Sequence, residues 1–172
     1  MLFNTGFYSP GEAAALLHED ARTVRRWAFG YRRNRQSGRV QHPPLIRTEL
    51  PDIEGERALT FVELVELGGH GQQAFPQVLK PYLEQLEFGV DGVAARWWPM
   101  GKHAGVLVDP RIAFGAPIIE DTRIPASTLA EAFEAEQPVY GERAVERVAW
   151  MYEVEPRQVE SVLGFSRWLR RA

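Results

Sequence analysis

Apolar residues recur three and four positions apart in seven stretches of the 172-residue chain, the mark of helices with one buried face. The first stretch opens at Ser9-Pro10-Gly11-Glu12. Serine caps, proline suits the first helical position, and glutamate at N3 completes a capping box, so a helix starts here. Ala13, Ala14, Leu16 and Leu17 give it one apolar stripe, and it is expected to end near His18. Asp20 caps a second helix from Ala21 to about Gly30, with Val24, Trp27, Ala28 and Tyr31 at i, i+3, i+4 and i+7 facing the first. Arg22, Arg25, Arg26 and Phe29 fall on its opposite side.

Further along, Thr60-Phe61-Val62-Glu63 is another capping box, opening a helix with Phe61, Leu64, Val65 and Leu67 apolar. Gly68-Gly69-His70-Gly71 is expected to stop it. PQVLKPYLEQLEF predicts an amphipathic helix through Val78, Leu79, Tyr82, Leu83 and Leu86, with Pro81 as its first helical residue. These stripes suit core or a homodimer seam. Residues 92–100 and Val106–Val108 read as strands about a Gly-Lys-His-Ala-Gly turn. Adjacent Trp97 and Trp98 must then face opposite ways, one into the core and the other to an interface. Three helices follow: Leu129, Ala132 and Phe133 point inward from the first, and Val145, Val148, Ala149 and Tyr152 from the second. The third starts at Pro156 and buries Val159, Val162 and Leu163.

The expected fold is α+β, mostly helical. It comprises a winged helix-turn-helix at 1–50, a helical and strand connector at 51–104, suited to dimerisation, a small β-hairpin and three-helix domain at 105–165, and a basic tail at 166–172. The last two helices form a second helix-turn-helix-like pair around Val154, but Glu155, Arg157 and Glu160 mix the charge on its outer face, which reads as scaffold.

Charge sharpens the picture. The net of −3 hides a split: residues 1–47 carry eight arginines against Glu12, Glu19 and Asp20, a net of +5, and the remainder carries −8. A basic head on an acidic body points to a polyanion partner. The second helix offers Arg22, Arg25 and Arg26 to guanine edges and phosphates of a major groove, with Thr23 adding a phosphate or base contact. Phe29 either touches a thymine methyl or packs under the following segment. Arg32, Arg33, Arg35 and Arg39 then flank a Ser37-Gly38 turn, as a hairpin wing laid along phosphates requires.

Two stretches carry family resemblances. YSPGEAAALLHEDARTVRRWAFGYRR resembles the winged helix-turn-helix of the MerR type, which reads Y-x-x-x-E-A-A-x-L-L followed by T-[VL]-R-R-W. His18-Glu19-Asp20 stands where that family usually turns through glycine. The second resemblance is to the small bacterial domain of unknown function numbered 433, with the pattern D-P-x-x-x-x-G-x-P-x-[IV]-x-G-T-R-I-P. Its matches here are Asp109, Pro110, Gly115, Pro117, Ile119, Thr122, Arg123, Ile124 and Pro125. Asp121 replaces the usual glycine, which implies a left-handed residue there. Arg123 is either a buried arginine bonding the loop carbonyls or a recognition residue.

The two together resemble VapB-type antitoxins encoded beside PIN-domain ribonuclease toxins. The resemblance implies operator DNA and a PIN-domain toxin as partners, and repression of the chain's own operon. Paired operator half-sites imply a homodimer. In the tail, Arg167, Trp168, Arg170 and Arg171 form a candidate toxin-binding group, arginines with an aromatic anchor facing a carboxylate-lined nuclease site. The alternative is a helix end whose cations offset the dipole.

Other chemistry is poorly represented. The chain has no cysteine, which removes disulfides and thiolate metal sites and fits a reducing cytoplasm. His18, His42, His70 and His103 are scattered, without metal-ligand spacing. Asp109, Glu120 and Asp121 lie in a polar turn with no nucleophile beside them. No metal, cofactor or enzymatic activity is expected, and neither a signal peptide nor a membrane span is read. The expected place is the cytoplasm, at the nucleoid. Two other functions stay open: a stand-alone transcription regulator, and a protein-interaction module whose arginines meet acidic protein surface.

Overall fold

The capping box at the first helix forms as its residues dictate. Ser9 Oγ accepts the Glu12 N–H at 3.2 Å, and the Glu12 carboxylate accepts the Ser9 N–H at 2.8 Å. The computed structural model describes residues 6–35, 38–50, 57–72 and 76–171. Phe7–Tyr8 (β1) precedes Pro10–Leu17 (α1), which ends at a left-handed His18 (φ 55°). Asp20 accepts the N–H groups of Arg22 and Thr23 and starts Ala21–Phe29 (α2). Tyr31–Arg35 (β2) and Gly38–His42 (β3) pair antiparallel as the wing, while Ser37 of the expected turn lies outside the described residues.

Leu59–Thr60 (β4) pairs with β1 and runs into Phe61–Gln72 (α3), where Thr60 and Glu63 cap each other as read. The glycines do not stop this helix, contrary to expectation. Gly68 lies under the next helix, Pro76–Glu84 (α4), and a Cβ there would overlap the Tyr82 hydroxyl, which donates to the Val65 carbonyl at 2.8 Å. The glycine permits a crossing rather than a turn. Pro81 is likewise not the start of α4 but lies inside it, and Leu86 belongs to the strand that follows. The side chains of Val78 and Leu79 lie outside what is described.

Leu86–Phe88 (β5), Ala94–Trp97 (β6), Val106–Val108 (β7) and Pro117–Ile119 (β8) form one antiparallel sheet in chain order, so strands from the connector and from the segment after it share a layer. Ala126–Tyr140 (α5), Ala144–Tyr152 (α6) and Pro156–Leu169 (α7) complete a mixed α+β fold, mostly helical. No helix among the described residues is long and apolar enough to cross a membrane. Trp97 and Trp98 do face apart, but neither is at an exposed surface: Trp97 joins the main core, and Trp98 makes a second cluster with Leu107 and Ile118. The Trp98 indole N–H donates to Glu120 at 3.2 Å. Asp121 takes the left-handed conformation expected of it (φ 61°).

The main core runs without a break from Tyr8, Val24 and Leu64 in the head through Trp97 to Leu129, Val159 and Phe165. Its most distant polar tie joins the two sequence motifs. Tyr8 Oη donates to the Gly115 carbonyl at 2.8 Å across 107 residues, and burial keeps that hydroxyl protonated well above its ordinary range.

Asp109 is another buried polar anchor. Its carboxylate accepts the Arg111 backbone N–H at 2.9 Å, the Arg111 guanidinium at 2.7 and 2.9 Å, and Arg96 Nε at 3.1 Å. Burial alone would raise its pKa, but the bonds from Arg111 and Arg96 outweigh it and hold the group at about 2, below the ordinary 3.8. Because the folded pKa is the lower one, the stabilisation is fully present above about pH 4 and is lost as pH falls from about 4 to about 2. Its size is about 2 kcal/mol. Asp109→Asn is expected to destabilise the chain by at least that much at neutral pH, and to flatten the acid limb of stability against pH in denaturant titrations.

Candidate nucleic-acid interface

The face of α2 turned away from the core is built by helix periodicity alone. Val24 and Ala28 are fully buried against α1 and α3, and Trp27 is half-buried on the same side. Tyr31 departs from the expected stripe. It begins β2 instead, exposed, with its ring stacked on His42 at 4.3 Å and the Arg26 guanidinium 5.1 Å above it. This contact holds the last arginine of the helix beside the first residue of the wing.

Arg22, Arg25 and Arg26 are all exposed, as are Arg32 and Arg33 on β2. Among the described residues none of these five guanidinium groups is in an ion pair, although the chain is acidic overall. Thr23 is half-buried, and its N–H is taken by Asp20. For Arg35 and Arg39 the backbone is placed, Arg35 opposite Gly38 and Arg39 opposite Asn34, but their side chains lie outside what is described.

Phe29 packs against the core, with the Arg57 guanidinium 5.1 Å over its ring, so of its two readings the packing one holds. Arg57 itself escapes sequence reasoning. It lies 28 residues beyond Phe29 with no periodic signal, and only the β1–β4 pairing brings its segment back to the head. Arg25, Arg57 and the start of α1 at Ser9, Pro10 and Gly11 line an open depression of about 620 Å³. The start of α1 there is closed by its own Ser9–Glu12 capping box.

The remaining candidates are placed differently. Arg167, Arg170 and Arg171 are exposed, but the residues read as a tail are helical as far as Leu169. Trp168 is no free anchor: it is half-buried, stacked 3.8 Å from the His18 ring and 5.7 Å from Phe165. Arg123 is exposed, which excludes the reading of a buried arginine bonding carbonyls. On the second helix-turn-helix-like pair, Arg157 is held by Glu155 and offers no comparable free charge.

Comparison with known proteins follows the same division. Residues 6–69 match the family model described as "Putative DNA-binding HTH domain", and residues 106–165 match the one described as "Protein of unknown function (DUF433)". A solved structure, the X-ray crystal structure of Rv2018 from Mycobacterium tuberculosis, superposes with a TM-score of 0.69 at 19% identity, over 91% of this chain and 96% of that one. At that identity the likeness is one of fold. No curated protein sequence matches the chain. The amino-terminal part is thus similar to a putative DNA-binding helix-turn-helix domain, and the carboxy-terminal part to a family of unknown function.

Proposed function

We propose that the chain is a DNA-binding regulator that represses its own operon as a homodimer and is the antitoxin to a PIN-domain ribonuclease. The carrying observation is the row of outward guanidinium groups of Arg22, Arg25, Arg26, Arg32 and Arg33, none of them in an ion pair among the described residues. Arg22, Arg25 and Arg26 read the major groove, and Arg32, Arg33, Arg35 and Arg39 hold phosphates along the wing. The chain acts in the cytoplasm, at the nucleoid, by binding and not by catalysis. The toxin partner rests on the order of the two motifs, head then body, as in the antitoxins they resemble.

Two experiments separate the layers of this reading. Mobility shift with the promoter upstream of the gene tests DNA binding, and co-purification with the product of the adjacent gene tests the toxin. Truncation after Phe165 is expected to abolish toxin neutralisation. Since Trp168 packs on the head, reversing the exposed Arg167, Arg170 and Arg171 to glutamate is the cleaner variant: toxin binding should fall and operator binding persist. Unchanged toxin affinity refutes the role of these arginines. A stand-alone regulator is the second reading, favoured by the stacking of Trp168 within its own chain, which removes the aromatic anchor from the partner surface.

A further inference from the structure

The outer face of α6 carries a large apolar side chain in solvent. Ala144, Val148 and Ala149 are buried on its inner side, while Trp150 keeps 70% of its surface exposed. The Arg147 guanidinium lies between two rings, 5.3 Å from that of Tyr140 and 4.8 Å from that of Trp150. Its Nε is 3.5 Å from the Glu136 carboxylate, so the Arg147 charge is used within the chain and the indole is held in place. At about 100° per residue, Arg143, Glu146, Trp150 and Glu153 share one exposed sector of about 80°. Among the described residues, Arg143, Glu146 and Glu153 are in no ion pair. Arg143 caps the amino end of α6 and Glu153 its carboxyl end, each at the pole of the helix dipole that disfavours its charge.

The four residues are spaced symmetrically. Arg143 and Glu153 lie five residues either side of Val148, and Glu146 and Trp150 lie two either side. Laid antiparallel on a copy of itself about that level, the face sets each Arg143 opposite a Glu153. It also sets each Glu146 carboxylate opposite an indole N–H donor. Every polar group meets its complement, twice over. The same arrangement brings Glu153 to the amino end of the other α6 and Arg143 to its carboxyl end, where the dipole favours each. A tryptophan held rigid near the axis is the kind of anchor that carries binding energy at little cost in ordering. We propose that the homodimer forms through this face, with α6 packed antiparallel on α6 of a second copy about a two-fold axis level with Val148. The inference rests on the homodimer reading above, and it puts the seam in the carboxy-terminal part and not in the connector.

The test is the oligomeric state of the full chain without DNA, followed by sedimentation equilibrium. A dimer with a dissociation constant in roughly the micromolar range is expected, since one helix from each copy makes a small seam. Arg143→Glu or Glu153→Arg alone opposes like charges at two symmetry-related places, and each is expected to weaken the dimer by at least about tenfold. The two changes together exchange the charges and restore the complement, so the dimer should return to within about threefold of the parent. Trp150→Ala is expected to weaken it by at least about 30-fold. All three side chains are exposed, so the variants should fold, as circular dichroism will check. A dimer unmoved by the single changes, or a double exchange no better than either single one, overturns the seam while the homodimer reading stands. A chain that stays monomeric up to about 100 μM overturns both. If Trp150→Ala abolishes co-purification with the adjacent gene's product and leaves dimerisation unchanged, the face belongs to that partner and the seam is again overturned.

Discussion

Reversing Arg25 and Arg26 together to glutamate is expected to lower affinity for operator DNA by at least about 30-fold, since each arginine at a base edge contributes about 1–3 kcal/mol of recognition. The slope of log affinity against log salt should shrink at the same time, by about 0.9 for each phosphate contact removed. Both side chains are exposed, and the apolar side of α2 is untouched, so the fold should persist. A glutamate replacing Arg26 in the last turn of the helix costs only a few tenths of a kcal/mol against the dipole. Circular dichroism and melting temperature close to those of the parent chain would therefore accompany the loss. Undiminished affinity in a folded variant would mean that another surface carries the DNA.

The second large effect lies at the join between head and body. Gly115 has φ +79°, and a Cβ there would overlap the Tyr8 hydroxyl and come within 2.9 Å of the Gly6 backbone. Gly115→Ala combines a left-handed residue, about 1–2 kcal/mol, with that overlap, and about 3 kcal/mol of lost stability is expected. For a chain of this size the melting temperature should fall by roughly 10 °C. Tyr8→Phe alone leaves the Gly115 carbonyl without its donor, at about 1–3 kcal/mol. The double variant should cost less than the two together, because removing the hydroxyl clears part of the space that the new methyl group needs. Strict additivity in chemical denaturation would show that the two motifs are not coupled through this contact.

The features readable in advance were those whose causes lie close together in sequence. The box from Ser9 to Glu12, the cap at Asp20, the buried Val24 and Ala28 and the outward arginines each follow from spacings of three or four residues. Even the left-handed Asp121 was legible, as a substitution for glycine within a pattern. What escaped depends on partners far along the chain. Gly68 looks like a stop until Tyr82 is known to cross it, and Trp168 looks like a free anchor until His18 is found against it. Arg57 joins the interface only because β4 returns to β1. Tyr31 leaves the helical stripe for a local reason: α2 gives way at Gly30, and the hairpin claims the next residue before the helical period reaches it.

The salt dependence of the full chain on its own promoter is the direct measurement of whether these guanidinium groups face DNA. Fluorescence anisotropy between roughly 50 and 200 mM salt gives the slope, at about −0.9 for each phosphate neutralised. With the seven arginines assigned to DNA on α2 and the wing, a slope of up to about −6.3 for each bound chain is expected. A slope near zero, or no binding at the lowest salt, would contradict the assignment of the α2 and wing arginines to a nucleic-acid surface.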